Sequence, residues 1–498
     1  MKCFVLMMVV LVGANLVYAQ AHVKEWTRLA GTNDIEEGDA VAADPSGNCI
    51  IAGATRGGLF SGNAGRYDLF VAKYDPNGNR LWGRQRGTSE RDFAYGVATD
   101  ASGNIYATGY TGGPLDGQSH LGNWDIFLTK FDPSGTWLWT RQIGASQDDE
   151  GKAVAVDVSG NVYITGYVRG NLHGQTRVGT ADVFICKYNS DGNRLWTRLF
   201  GSPEIDEAWA IVCDTAGNVI VTGYTSGGIE GNPYLANGDA FLAKYDTNGN
   251  RIWLRQWGTY NKDHGYSLAT DTADNIYLSG YTTGPLYAPP NGGREVFVAK
   301  FDPDGYELWG REFGSTPGVG TNEHDQGWGI AIGPDGNVYV AGAVEGPLDG
   351  NEHLGWLDIF LTKYDPLGAR VWARQIGTEG NDWASGIATT ADGVIFLAGT
   401  SNGNLDGITG AGVEDAFAMK FAAVPTVPPD LDQDGDVDPS DFSLFATCAS
   451  GPAVPFGEDC GRSDFDDDSD VDQSDFGIFQ RCYSGENTPP DLNCASTP

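Results

Sequence analysis

The sequence predicts an all-β fold of seven repeated four-stranded units followed by a small α-helical domain, and three observations predict it. Trp26, Trp82, Trp139, Trp196, Trp253, Trp309 and Trp372 are each followed two residues later by Arg, and successive Trp positions lie 56, 57, 57, 57, 56 and 63 residues apart. A fixed period in this range marks a repeat architecture. The 71 glycines fall at recurring turn positions instead of in low-complexity runs, which is the punctuation of an all-β chain. After Phe421 the composition changes to a Pro-rich link and then to residues 430–498, which hold 17 acidic and 2 basic residues.

One unit, taken from Arg91, contains four short β-forming segments, GVATD, NIYATGY, DIFLTKF and WLWTRQI, here called strands a to d. The a–b turns (DPSGN, DASGN, DVSGN and relatives) and the c–d turns (DPNGN, DPSGT, DTNGN and relatives) are tight, and their Asp, Pro, Asn and Gly supply the backbone angles that hairpins demand. Seven such units fit the blades of a β-propeller. The seventh unit ends after its strand c, Ala416 to Phe421, whereas the chain begins with an orphan d strand, Val23 to Ala30. The first strand is therefore expected to complete the last blade and latch the ring.

KYDPNGNRLW and its copies, together with the D-x-x-GN turns and GYT endings, resemble the seven-bladed β-propeller repeat family (SBBP-type) across about residues 23–424. That resemblance implies the fold and says little about activity. If strands run from a near the axis to d outside, all short turns share one face. The variable b–c and d–a loops then share the other, which is the expected binding face.

Several polar positions recur. Glu36, Asp92, Asp149, Asp206, Asp263, Asp325 and Asp382 sit in the d–a loops. They are expected to accept backbone N–H bonds, the sharper alternative being a cation-attracting ring at the channel mouth. Asp68, Asp125, Asp182, Asp239, Glu295, Asp358 and Asp415 open strand c, and Lys73, Lys130, Lys187, Lys244, Lys300, Lys363 and Lys420 close it, reading as blade-edge ion pairs and turn contacts. Each Trp-x-Arg pair lies on one face of strand d, where Arg against Trp or a carboxylate would staple strands or blades. The sixth d–a loop, Phe313 to Gly327, is longer than its siblings and brings His324 and Asp325 close to Trp328, a candidate ligand contact.

Met1 to Ala19 carries one Lys, an apolar run and small residues at its end, the pattern of a secretory signal peptide. No later apolar run reaches the ~20 residues a membrane helix needs. The expectation is an exported protein, extracellular or at the cell surface, divided into signal 1–19, propeller 20–424, linker 425–429 and tail 430–498. A formal charge of −35 disfavours nucleic acid and anionic membranes and leaves divalent cations as partners. Cys49, Cys186 and Cys213 sit singly in strands and read as small buried hydrophobes. Cys448 and Cys460, then Cys482 and Cys494, each span 12 residues. Two disulfides are expected, one per short repeat, among the three pairings four cysteines allow.

The tail holds two registered 12-residue loops. DLDQDGDVDPSD places Asp430, Asp432, Asp434, Asp438 and Asp441 at positions 1, 3, 5, 9 and 12, with Asp436 offering its backbone oxygen from position 7. DFDDDSDVDQSD repeats the plan with Asp464, Asp466, Asp468, Asp470, Asp472 and Asp475, but with Ser469 where the first loop has Gly435. This is the donor pattern of an EF-hand-type Ca²⁺ loop, and Ser at the sharp sixth position is its weak point. The pair resembles a type I dockerin. That resemblance implies docking to a cohesin-like or cell-surface partner, with recognition at Pro439, Ser440, Gln473 and Ser474, and helices are expected over Phe442 to Ala449 and Phe476 to Tyr483.

No catalytic set assembles: the six His lack ligand spacing and no HExxH or GxSxG occurs. The expectation is a non-catalytic binding or scaffold protein, its ligand a polysaccharide or another molecule. The alternative is a carbohydrate-active enzyme on a propeller scaffold, where only geometry identifies a working carboxylate pair. A third reading is a passive surface component.

Overall fold

The computed structural model describes residues 20–289, 293–315, 324–425, 427–431, 435–452, 454, 460, 463–466, 469–485, 490–491 and 494–495. The expected signal segment Met1 to Ala19, the ligand candidates Asp432, Asp434 and Asp468, and residues 316–323 of the sixth d–a loop lie outside them. The chain divides into two compact units, Lys24–Ala422 and one built on the segment from Ala423 onward.

The first unit consists of seven four-stranded antiparallel sheets. Six run a-b-c-d in sequence; in the seventh, Gln20–Ala30 pairs with Asp415–Pro425 and supplies the missing outer strand. The a strands, Glu36–Ala43, Asp92–Thr99, Asp149–Val156, Asp206–Cys213, Asp263–Thr270, Gln326–Ile332 and Asp382–Thr389, form the innermost ring, each meeting the next and the last meeting the first. Strands b and c are buried almost without interruption because each blade is covered by two neighbours. They therefore read as continuous apolar runs in place of alternating ones. Phe70, Phe127, Phe184, Phe241, Phe297, Phe360 and Phe417 are fully buried within this packing, and truncating one of them to Ala would cost about 3–5 kcal/mol.

The repeated motif fastens each blade to the next. Trp82 Nε1 donates to the Pro133 carbonyl at 3.2 Å and Arg84 Nε to the Gly135 carbonyl at 2.7 Å, both in the following blade's c–d turn. Trp196 and Arg198 hold Thr247 and Gly249 in the same way, and Trp26 with Arg28 hold Pro76 and Gly78. The Arg also lies over its Trp, 5.6 Å away at Arg84. The staple is thus between blades, and its acceptors are backbone carbonyls.

The strand-c residues divide differently from the expectation. Lys73, Lys187 and Lys244 pair with Asp44, Asp157 and Asp214 of the a–b turns and donate to the next blade's c–d turn. The acids opening strand c are not their partners. Asp68, Asp125, Asp239 and Asp358 accept the backbone N–H four residues earlier and the amide of Gln85, Gln142, Gln256 and Gln375 in strand d. These contacts place the a–b and c–d turns on one face and the b–c and d–a loops on the other. On the loop face, bridges such as Tyr67 to Arg91 and Ile35 to Glu414 join neighbouring blades. Cys49 and Cys186 are buried as expected, whereas Cys213 is half-buried.

The second unit holds helix α1 (Pro439–Cys448) and helix α2 (Gln473–Cys482). Both begin three residues before the expected start. Asp438 and Asp472 act as N-caps, each forming a capping box with Asp441 or Asp475, so loop positions 10 and 11 become the first helical turn. Disulfides join Cys448 to Cys460 and Cys482 to Cys494, one per repeat. Among the described residues no helix is long and apolar enough to cross a membrane.

Candidate functional site

The seven d–a carboxylates do not ring the channel; they are buried loop fasteners. Asp92 accepts the Thr88 N–H at 2.6 Å and the Thr111 hydroxyl; Asp149 accepts the Ala145 and Arg169 N–H groups; Asp382 accepts the Thr378 N–H at 2.7 Å. Each is at most 1% exposed. Burial pushes the Asp149 and Asp206 carboxyls up to about 6, with Asp125 and Asp182 nearby adding to the rise and the accepted hydrogen bonds opposing it. A carboxyl raised in the fold above its unfolded value of about 3.9 stabilises fully below that value, and the contribution is lost as pH rises through 6. The thermal midpoint is therefore expected to fall between pH 4 and 6, and an Asp149→Asn, Asp206→Asn variant to show a shallower fall. An unchanged slope in the variant would contradict the assignment.

Three residues beyond each of these acids, every a strand is bulged. Pairing with strand b skips one residue in each blade: between Gly38 and Ala40, Ala94 and Gly96, Gly151 and Ala153, Ala208 and Ala210, Gly265 and Ser267, Gly327 and Gly329, and Ala384 and Gly386. A bulge leaves its residue unpaired and re-aims the side chain. Here the skipped residues are Asp39, Tyr95, Lys152, Trp209, Tyr266, Trp328 and Ser385, and all seven line one axial cavity of about 400 Å³, joined by Trp383. The glycine of strand b makes the bulge possible. A Cβ at Gly109 would stand 1.8 Å from the Phe93 carbonyl oxygen, and the equivalent distance at Gly53, Gly166, Gly223, Gly280, Gly342 and Gly399 is 1.8 to 2.0 Å.

The scaffold thus repeats seven times while the side chains it aims into the channel do not. Lys152 bonds Glu150, which also accepts the Tyr167 hydroxyl at 2.6 Å, and its ammonium lies 4.1 Å from the Tyr95 ring and 4.7 Å from that of Trp209. Trp209 meets Tyr266 edge-on at 5.2 Å. Toward the loop face, His264 stacks on Tyr224 at 4.1 Å, Phe93 packs on Tyr67 at 4.9 Å, and Tyr110 lies 4.8 Å from Trp124. Burial, with Lys262 and Arg294 adding to it, lowers the His264 imidazole to about 3, so it is neutral at physiological pH. Burial, then Glu37, pushes the Asp39 carboxyl well above the carboxylate range against the pull of Lys152. Asp39 Oδ2, Trp209 Nε1 and His264 Nδ1 are shut off from solvent without a hydrogen-bond partner among the described residues.

Of the three ligand candidates in the sixth blade, Trp328 lines the cavity, Asp325 is a buried fastener accepting the Ser315 N–H, and His324 is exposed and bridges to Arg294. The other cavity residues differ in type from blade to blade, so a pattern of repeated residues does not reveal them. The available signal was a glycine inside an otherwise apolar strand b, which marks a bulge or a close backbone approach.

In the tail, Asp436, Asp438 and Asp441 bring carboxylate oxygens within 4.8 Å of one another, as do Asp464, Asp466 and Asp475, and Asp470, Asp472 and Asp475. Gly435 N donates to Asp430 Oδ2 and Ser469 N to Asp464 Oδ2, both across the loop. Position 6 is left-handed in both loops, φ +99° at Gly435 and +76° at Ser469, the sharp turn that the motif requires. Val437 and Val471 at position 8 tie the repeats reciprocally: Ser484 N donates to the Val437 carbonyl and Ser450 N to that of Val471, each at 2.9 Å. Beneath them lie Leu431, Phe445 and Phe479. Pro439, Ser440, Gln473 and Ser474 are exposed, and Pro439 borders an apolar cleft with Phe442, Phe476 and Tyr483.

Known proteins resemble this chain at low identity. A protein 24% identical, an uncharacterized WD repeat-containing protein of Acanthamoeba polyphaga mimivirus, aligns with 76% of this chain and 36% of its own. The regulatory protein FlaEY of Caulobacter vibrioides, also 24% identical, aligns with 69% of this chain and 40% of its own. The chain spans about two fifths of the length of these curated relatives. Among solved structures, the Neurospora crassa Pan2 WD40 domain matches at 11% identity and a TM-score of 0.45, covering 80% of this chain and 95% of that one. The β-propeller domain of the Trilobed protease from Pyrococcus furiosus matches at 10% identity and a TM-score of 0.42, covering 78% and 94%. The family model described as a β-propeller repeat (SBBP) matches residues 81–116, 138–172 and 252–287, each stretch running from a strand d into the next blade's b–c loop. This chain therefore carries SBBP-type propeller repeats, built into a ring of seven blades.

Proposed function

We propose that the protein is an exported, non-catalytic binding protein that takes its ligand at the loop-face mouth of the axial channel and is attached elsewhere through its tail. The observation that carries this reading is the set of seven bulge residues. An identical backbone device aims five residue types into one cavity from seven blades, and its volume of about 400 Å³ lies in the range of small-molecule sites. Repetition is what stability demands of a propeller; variation at the one position facing the cavity is what recognition demands.

The tail takes the role of a calcium-stabilised docking module. Its converging donors are all oxygens, the chemistry of a hard cation. Asp430, Asp432, Asp434, Asp436, Asp438 and Asp441 would hold one ion, and Asp464, Asp466, Asp468, Asp470, Asp472 and Asp475 a second. Calcium would fold the loops and present Pro439, Ser440, Gln473 and Ser474 to a cohesin-like or cell-surface protein. The signal-like first 19 residues support export.

A tryptophan-emission screen of the intact chain against oligosaccharides and small amines, with product analysis of the same samples, tests the reading. It expects saturable emission changes that diminish in Trp328→Ala, and no product. Steady release of sugars from a bound oligosaccharide would favour the hydrolase instead.

A further inference from the structure

Resting on that channel reading, we propose that the mouth binds an alkylammonium group, held against Asp39 by the aromatic faces of Trp328 and Trp383. The cavity already contains one worked example of such binding. Lys152 places its own ammonium between the Tyr95 and Trp209 rings, 4.1 and 4.7 Å from their centroids, with Glu150 as the counter-charge. Cations are attracted to these ring faces by the ring quadrupole, most strongly where water is excluded. Lys152 occupies the side of the channel formed by the second to fourth blades. The opposite side, formed by the sixth, seventh and first, offers the same materials: Trp328, Trp383 and Asp39 all line the cavity.

Charge is unbalanced on that open side. Lys152 is bonded to Glu150, and it lies more than an ion-pair distance from Asp39, with which no salt bridge forms among the described residues. Arg91 and Arg169 act on Glu37 and Glu207 through space, and Arg91 lies 5.8 Å over Tyr67 toward the loop face. What remains is Asp39 Oδ2, closed to solvent and without a hydrogen-bond donor among the described residues. A buried carboxylate oxygen is costly unless paired, so the ligand that gains most is one that brings a positive charge. Burial, then Glu37, raises the Asp39 carboxyl and favours its neutral form, so a bound cation is expected to draw it toward ionisation. A formal charge of −35 draws cations toward the molecule from a distance.

The test compares choline with its neutral carbon isostere by calorimetry on the full chain. Choline is expected to bind saturably, and the isostere at least tenfold more weakly. Asp39→Asn should reduce choline binding by about tenfold or more, an amount equal to ~1.4 kcal/mol, while leaving the melting midpoint and the isostere unaffected. Lys152→Met, which removes the resident cation, should tighten choline binding. Equal binding of choline and isostere, lost in Trp328→Ala, would overturn the cation proposal and leave the channel as a site for neutral ligands. Choline binding indifferent to Asp39→Asn would overturn it as well. If neither choline nor any ligand of the wider screen responds to Trp328→Ala, the channel reading itself falls.

Discussion

Excess chelator is expected to unfold the tail and leave the propeller standing. Three carboxylates whose oxygens lie within 4.8 Å in each loop repel one another by about 4 kcal/mol per pair at 4 Å in a partly screened site. The tail carries 17 acidic and 2 basic residues over 430–498, so most of this charge has no internal cation to offset it. Its apolar cluster is small, centred on Phe445, Phe479 and the two loop valines. The disulfides restrain the chain after each helix but do not cross from one repeat to the other. Ties between repeats include the Val437–Ser484 and Val471–Ser450 backbone bonds and the packing of Phe442 and Phe445 on Phe476 and Phe479, and the backbone bonds depend on loop shape. Hydrogen exchange of the intact protein should show α1 and α2 losing protection in chelator while strands b and c keep theirs. Unchanged protection of both helices would remove calcium from the account. In the same titration Ser469→Gly is expected to tighten the second loop by about 1 kcal/mol, roughly fivefold, because a left-handed non-glycine residue costs that much.

Deleting residues 23–30 is expected to open the ring. That segment supplies the outer strand of the seventh blade. It also carries Trp26 and Arg28, which grip the first blade's c–d turn through Pro76 and Gly78 at 3.0 and 2.8 Å. Lys24 and Thr27 bond Asp406 in the seventh blade. Trp26 is 8% exposed and packs on both Phe396 and Tyr74. Trp26→Ala alone should cost about 3–5 kcal/mol, and the deletion more, since it also strips the ladder from Asp415–Pro425. Denaturant unfolding checks this: a deletion mutant with the midpoint of the full chain would refute closure by this strand.

The scaffold was legible because structural demands recur in every blade. The Asp-x-x-Gly turns and the orphan first strand take the places expected of them, and the Trp-x-Arg pairs staple blades, though through backbone carbonyls instead of carboxylates. The ion pairing of strand c was misjudged because sequence order puts Asp68 and Lys73 on one strand, whereas the blade-to-blade geometry sends Lys73 to Asp44 and Asp68 to its own loop. The binding residues were hidden for a different reason. Asp39, Tyr95, Lys152, Trp209, Tyr266, Trp328 and Ser385 are of five residue types and have in common a backbone irregularity. Alternation along a strand does not foresee a bulge, and only Gly53, Gly109 and their counterparts recorded it. Trp328 was noticed for the length of its neighbouring loop, and its place in the cavity comes from the bulge.

The most direct test of the central claim, that recognition resides in the bulge residues of the axial mouth, is ligand binding by a chain in which Trp209, Trp328 and Trp383 are all replaced by Ala. Ligands found with the intact protein should no longer bind, while the far-ultraviolet spectrum of the ring is retained. Binding that survives the triple replacement would place recognition elsewhere.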